Sequence, residues 1–241
     1  MTVRAEIQRI ATLAALIGPA RHVAVGAASP IPAAAALLCR ARHGTRVTLL
    51  HDGRRNSFTD GSRELFDLAG QGRIDVFFLG GVQIDGRADI NLVGTGTYPR
   101  LDKRFAGSFG SAYLYYVVPR VILYREEHSP RTLVERVDFV SAPGTSAPGV
   151  FRPGGPTHLL TGRALFAFDR AAGRFRLEQR APDETVATLR QATGFAFDSP
   201  ADVAVWSPPD EAGRALLDTA VAPALRAAYP EFARGLFPDQ G

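Results

Sequence analysis

The sequence has 241 residues, 46% hydrophobic and 22% charged, values that fill an ordinary globular core and exclude a disordered or fibrous chain. Its formal net charge is +4, carried almost wholly by scattered arginines with Lys103 as the single lysine, and this argues against a nucleic-acid binder. The one cysteine, Cys39, leaves no disulfide framework, and no apolar run reaches the roughly 18–20 residues of a membrane span.

The predicted elements begin with an amphipathic helix over 4–17, where Ile7, Ile10, Leu13 and Leu16 share one face; Glu6 and Arg9 inside the pattern argue against a signal peptide. HVAVGAASP then reads as a buried strand opening onto a turn. Pro30 and Pro32 start a helix through Ala33 to Arg42, ended by Gly44, and Cys39 within it is expected as a buried core thiol. RVTLLHDG is a second strand and turn, Arg63 to Ala69 a short helix closed by Gly70, and IDVFFLGG a third strand ending in glycines. Such alternation predicts a largely parallel sheet flanked by helices, with ligands beyond the carboxyl ends of the strands. The stretches 26–29, 51–56 and 80–85 are therefore the expected places for chemistry. A bare dinucleotide-binding reading fails, because Gly26-Ala27-Ala28-Ser29 lacks the further glycines of that fingerprint.

Further along, Asp85 to Tyr98 and Arg104 to Ser111 read as loops. Tyr113 to Val118 and Arg120 to Tyr124 are strand or helix, separated by Pro119. Ala142 to Gly155, dense in Pro and Gly, is an irregular connector. Short strands follow at Thr157 to Leu160, Ala164 to Asp169 and Arg174 to Glu178, the last two joined as a hairpin. A helix from Asp183 to Thr193 is expected to be capped by Asp183 and stopped by Gly194, and a Pro-interrupted helical arm covers about 208–241. The whole chain, 1–241, reads as a single domain. A cytoplasmic location is expected.

Residues 65–94, LFDLAGQGRIDVFFLGGVQIDGRADINLVG, resemble a signature of the β subunits of glutaconate CoA-transferase-like enzymes, family I of the coenzyme A transferases. The pattern there is close to QGGRID-x-x-FLGG-x-QID-x-x-GN-x-N. Residues 128–144, 155–169 and 184–195 resemble later blocks in the same order, and the likeness runs from about residue 5 to about residue 205. It implies the CoA-transferase (Rossmann-like) fold with a C-terminal mixed β/α extension. It also implies an α-type partner subunit in an αβ or α2β2 assembly, coenzyme A as acyl-CoA substrate, and no metal. The implied chemistry is transfer of CoA between carboxylic acids through a glutamyl thioester, with backbone donors for the oxyanion.

Two stretches depart from the pattern. The family's LYESG appears as LLHDG, which puts Asp52 where the catalytic glutamate is implied, one methylene short. Turn aspartates also bond nearby backbone N–H groups, so Asp52 reads equally as a carboxylate catalyst and as a turn residue. The family's GSGGAND loop appears as Gly107-Ser108-Phe109-Gly110-Ser111-Ala112-Tyr113, with Phe109 narrowing the close approach that glycine permits. Gly80 and Gly81 read either as the acyl-CoA oxyanion turn or as a tight turn needing positive φ. Gln83 and Asp85 are expected to shape that loop, with Asn91 in support. His51 is a candidate base, and Arg54 and Arg55 are candidates for CoA phosphates or a substrate carboxylate. Tyr113, Tyr115 and Tyr116 read as substrate lining or as core and interface. His128 and His158 have no ligand-like spacing.

Both departures resemble the two-subunit hydrolases that open rings of CoA-linked steroid fragments, which implies an alternative with water as acceptor and the catalytic Glu on the partner. A non-catalytic structural subunit is the second alternative.

Overall fold

The computed structural model describes residues 4–52 and 60–238, so the expected contributions of Gly53, Arg54, Arg55 and Asn56 lie outside the described residues. The described chain forms two compact units, Met1–Phe78 with Trp206–Gly241, and Leu79–Val205.

The first unit opens with α1 (Ala5–Ile17), β1 (His22–Val25), α2 (Pro30–His43), β2 (Arg46–Leu49), α3 (Gly61–Gly70) and β3 (Val76–Leu79). β1 runs parallel to β2 and to β3, with Val23 opposite both Val47 and Val76. Parallel strands buried on both faces are expected to read as unbroken apolar runs, and all four residues of β1 and of β3 are buried. α2 buries nine successive residues, Ile31 through Cys39, because it packs on β1 and β2 and against α1 as well. Gly44 ends it in the left-handed conformation at φ 72°, its N–H returning to the Arg40 carbonyl. Cys39 is a core thiol that donates to the Ala14 carbonyl at 3.4 Å.

The amino-terminal ends of these strands are stapled by polar contacts. The Asp75 carboxylate accepts from the Arg21 and His22 backbone N–H groups at 2.7 and 3.1 Å and pairs with the Arg21 guanidinium at 2.6 Å. His22 meets Thr48 Oγ1 at 2.9 Å.

The second unit holds two antiparallel pairs, β4 (Gln83–Ile84) with β5 (Ile90–Asn91) and β6 (Gly94–Thr97) with β7 (Arg100–Arg104). The stretch 85–98 is thus not a plain loop: it turns between strands too short for periodicity to reveal. α4 (Ser111–Val117) resolves the strand-or-helix ambiguity before Pro119, and β8 (Arg120–Arg125) follows. Beyond the irregular connector come β9 (Pro156–Thr161), β10 (Ala164–Asp169), β11 (Arg174–Arg180), α5 (Val186–Ala192) and β12 (Ala204–Val205). β8 pairs parallel with β9, β9–β10 and β10–β11 are antiparallel, and β11–β12 is parallel. The fold is therefore α/β with largely parallel pairing and a mixed extension. α5 starts later than expected, since Thr185 rather than Asp183 caps it through a reciprocal bond with Thr188.

The chain returns to the first unit through α6 (Glu211–Leu216), a π-helical turn (Leu217–Val221), α7 (Ala222–Ala228) and α8 (Pro230–Leu236). Pro223 has no N–H for the helical ladder, and the wider π-turn precedes it. α6, the π-turn and α7 pack on α2. No described helix is long and apolar enough to cross a membrane.

His128 is buried between two hydroxyls, Thr161 Oγ1 and Thr193 Oγ1, each at 2.8 Å. Burial, aided by the Arg163 charge, pushes its imidazole down to about 4. The folded chain thus holds His128 neutral where the unfolded chain binds a proton. Its contribution is complete above about pH 6.5 and is lost as pH falls toward 4, by up to about 3 kcal/mol at ~1.4 kcal/mol per pH unit. Urea unfolding at pH 7 and pH 4.5 should show this loss, and H128Q should flatten it. An unchanged slope in H128Q would refute the assignment.

Candidate active site

In the first unit, β2 delivers the expected acid. Leu50 N–H donates to the Val25 carbonyl at 3.0 Å, continuing the ladder one residue past the strand, and Asp52 N–H closes a turn onto the Leu49 carbonyl at 3.0 Å. His51 is exposed and Asp52 half-buried. The His51 imidazole stacks on the Tyr229 ring, with centroids 4.6 Å apart and planes inclined by 15°. Asp52 lines a cavity of about 170 Å³ between α2, β2 and α7, together with Arg40 and the small residues Ala224, Ala227 and Ala228. The neighbouring β1–α2 turn carries Ala28 at φ 54°, a left-handed conformation that is uncommon outside glycine. Tyr229 was not singled out by sequence reasoning. Its only signal is the Tyr-Pro pair in the last helical stretch, and contact with residue 51 across 178 positions carries no local pattern.

In the second unit, Gly80 and Gly81 follow β3, and neither adopts positive φ. Their need for glycine is crowding. A Cβ at Gly80 would lie 2.8 Å from the Tyr124 carbonyl oxygen, and one at Gly81 would lie 2.7 Å from the Gln83 carbonyl oxygen. The close approach is thus to the chain's own backbone.

Gln83, Asp85 and Asn91 build the frame beside these glycines. Asn91 Nδ2 donates to Gln83 Oε1 at 2.8 Å and to the Gly94 carbonyl at 2.7 Å, while its Oδ1 accepts from Val93 and Gly94 N–H. Gln83 Nε2 reaches Asp138 at 3.1 Å, and Gln83 Oε1 accepts from Asp138 N–H at 3.0 Å. Asp85 accepts from the N–H groups of Arg87, Asp89 and Val137 at 3.0, 3.1 and 3.3 Å. Burial and the nearby Asp89 charge still push its carboxyl above the usual range.

The glycine loop is left-handed at three points: Gly107 at φ 97°, Phe109 at φ 39° and Gly110 at φ 67°. The Phe109 ring is 68% exposed. Ser111 closes the loop through its N–H to the Ser108 carbonyl at 2.7 Å, and α4 begins there. The three tyrosines divide by helix face. Tyr115 is fully buried with its hydroxyl on the Ala88 carbonyl at 2.7 Å, Tyr116 bonds the Phe151 carbonyl, and Tyr113 is exposed. His158 lies 3.6 Å from Glu178. Among the described residues, no group of three or more His, Cys, Asp or Glu side chains is arranged to hold a metal ion.

Comparison with known proteins bears on this arrangement. The protein family described as "Coenzyme A transferase" matches residues 10–185. The B-type chain of glutaconate CoA-transferase from Acidaminococcus fermentans is 28% identical over 130 residues, 51% of this chain and 48% of that protein, so the match spans about half the relative's length. The solved decarboxylase AibA/AibB is 25% identical with a TM-score of 0.76, covering 98% of this chain and 99% of the chain compared. Rhodococcus jostii RHA1 IpdAB is 21% identical with a TM-score of 0.80, covering 92% and 96%, and shares the fold.

The glycine crowding is testable. G81A must displace the β4–β5 pair and is expected to cost about 1–3 kcal/mol in urea unfolding. Unaltered stability in G81A would show that the surrounding backbone yields freely.

Proposed function

The chain belongs to the coenzyme A transferase family, and from this we propose that it is the β-type subunit of a heteromeric enzyme that moves CoA between carboxylic acids, with an α-type chain as partner. The observation that carries the reading is Asp52, placed just past the carboxyl end of parallel strand β2 and among the residues that line a cavity. That edge is where open α/β sheets bind ligands. At about 170 Å³ the cavity is smaller than the ~300–1,000 Å³ of ordinary ligand sites, which supports a binding site completed by the partner.

In this reading an Asp52 oxygen attacks the thioester carbonyl and CoA leaves as thiolate, forming a mixed anhydride. The thiolate then attacks the aspartyl carbonyl and expels the donor carboxylate, leaving an aspartyl-CoA thioester. An acceptor carboxylate reverses both steps and departs as the new acyl-CoA. Gly80 and Gly81, with the Gly107-Ser108 and Gly110 loop, are proposed to contact the acyl-CoA through backbone N–H groups, the donor type that an oxyanion needs. Gln83, Asp85 and Asn91 keep the first pair in place, and His51 supports the acid turn.

A second reading is non-covalent: Asp52 orients or deprotonates an acyl-CoA, and the product is a decarboxylated or hydrolysed thioester. It is favoured by the likeness to the decarboxylase AibA/AibB, which extends over 98% of the chain. It is also favoured by the aspartate, whose carboxylate is set back by roughly 1.5 Å relative to glutamate.

Trapping separates the two. The active complex, incubated with acyl-CoA and then hydroxylamine or borohydride, is expected to carry a modified Asp52 by peptide mass spectrometry. Turnover without any such adduct would favour the non-covalent reading. In either case D52A should lose at least ~100-fold in kcat. Near-native turnover by D52A would remove Asp52 from the chemistry and leave catalysis to the partner.

A further inference from the structure

The C-terminal arm places an unusual side chain against the acid turn. Tyr229 sits where α7 gives way to α8, because a residue before proline is driven out of the helical region, here to φ −135° and ψ 69°. Its backbone is still held on both sides: its N–H donates to the Leu225 carbonyl at 2.6 Å, and its carbonyl accepts from Ala233 N–H at 2.9 Å. Its side chain is buried, at 7% exposure, with its ring face on His51.

The phenol hydroxyl is buried; the Ser29 backbone approaches its oxygen as a donor, and its own O–H has no acceptor among the described residues. Burial pushes this phenol above its ordinary value, opposed by the hydrogen bond from the Ser29 backbone and aided by the Asp52 charge. The hydroxyl thus lies under the influence of the tips of the two adjacent parallel strands β1 and β2. Arg40 from α2 is the remaining charged group on the cavity that Asp52 lines. Phenylalanine would fill the same space and stack as well without burying an unsatisfied donor, which is costly. Packing explains the ring and the Ser29 backbone meets the oxygen, but neither gives the hydroxyl proton an acceptor.

We propose that Tyr229 is a positioning residue for the carboxylate turn: its ring holds the His51 end, and its hydroxyl donates to the Asp52 carboxylate when that carboxylate engages substrate. This rests on Asp52 being the working carboxylate, covalent or not. A donor to the ionised carboxylate keeps it charged at lower pH. Losing the donor should move the acid limb of the rate profile to higher pH.

The test compares Y229F, D52N and Y229F/D52N in the full-length chain reconstituted with its partner. Y229F should fold with a Tm close to that of the parent chain, because the ring and its stack on His51 are kept. It should lose about tenfold in kcat, the effect of one hydrogen bond to a charged group, with KM within about twofold. Its acid limb should move up by about one pH unit, and the double variant should be no worse than D52N alone. Native kcat and an unshifted acid limb in Y229F, with D52N inactive, would overturn this inference while leaving the role of Asp52 intact. An active D52N would overturn both.

Discussion

The parallel ladder of β2, β1 and β3 is the constraint on which the first unit depends. Parallel strands cannot be joined by tight hairpins, so each must be followed by a turn and a crossover helix. The turns after β1 and β2 consequently leave at one edge, and the returns enter at the other. The polar staples built on Asp75 and His22 lie at the entering edge, where they tie the strand starts together. The leaving edge carries the Ala28–Ser29 bend and the His51–Asp52 turn instead. Polar staples at one end and the His51–Asp52 turn at the other follow from one direction of strand travel.

A buried α2 is the second consequence. A helix apolar on all sides needs cover on all sides, and the sheet and α1 leave one face open. The C-terminal arm closes it with α6, the π-turn and α7. Pro223 and Pro230 break that arm into short pieces, and the break at Tyr229 turns an aromatic ring onto the acid turn. Cover for the core and support for the turn thus come from one segment, distant in sequence from both.

In the second unit, polar satisfaction does the organising that apolar area does in the first. The Gln83–Asn91–Asp138 network and the Asp85 carboxylate saturate the amides of a segment with little regular structure. Each buried partner is paired, so the segment can be both irregular and fixed. In that frame a side chain at Gly81 has no room, since its Cβ would lie 2.7 Å from the Gln83 carbonyl oxygen.

The sequence by itself determined the strand–helix alternation, the parallel pairing of the first three strands, the helix stop at Gly44, the break at Pro119, and the family through its ordered blocks. These are local or directional signals, carried by periodicity, proline and glycine within a few residues. It also marked Asp52, from position after a strand and likeness to a known pattern. Tertiary structure alone decided the rest: that Gly80 and Gly81 are required by backbone crowding rather than by positive φ, that Thr185 caps α5, and that short strands thread 83–104. The stack of Tyr229 on His51 belongs with these. The physical reason is common to all of them: each depends on which distant atoms come within about 3–5 Å, and that distance is set by packing, not by neighbours along the chain.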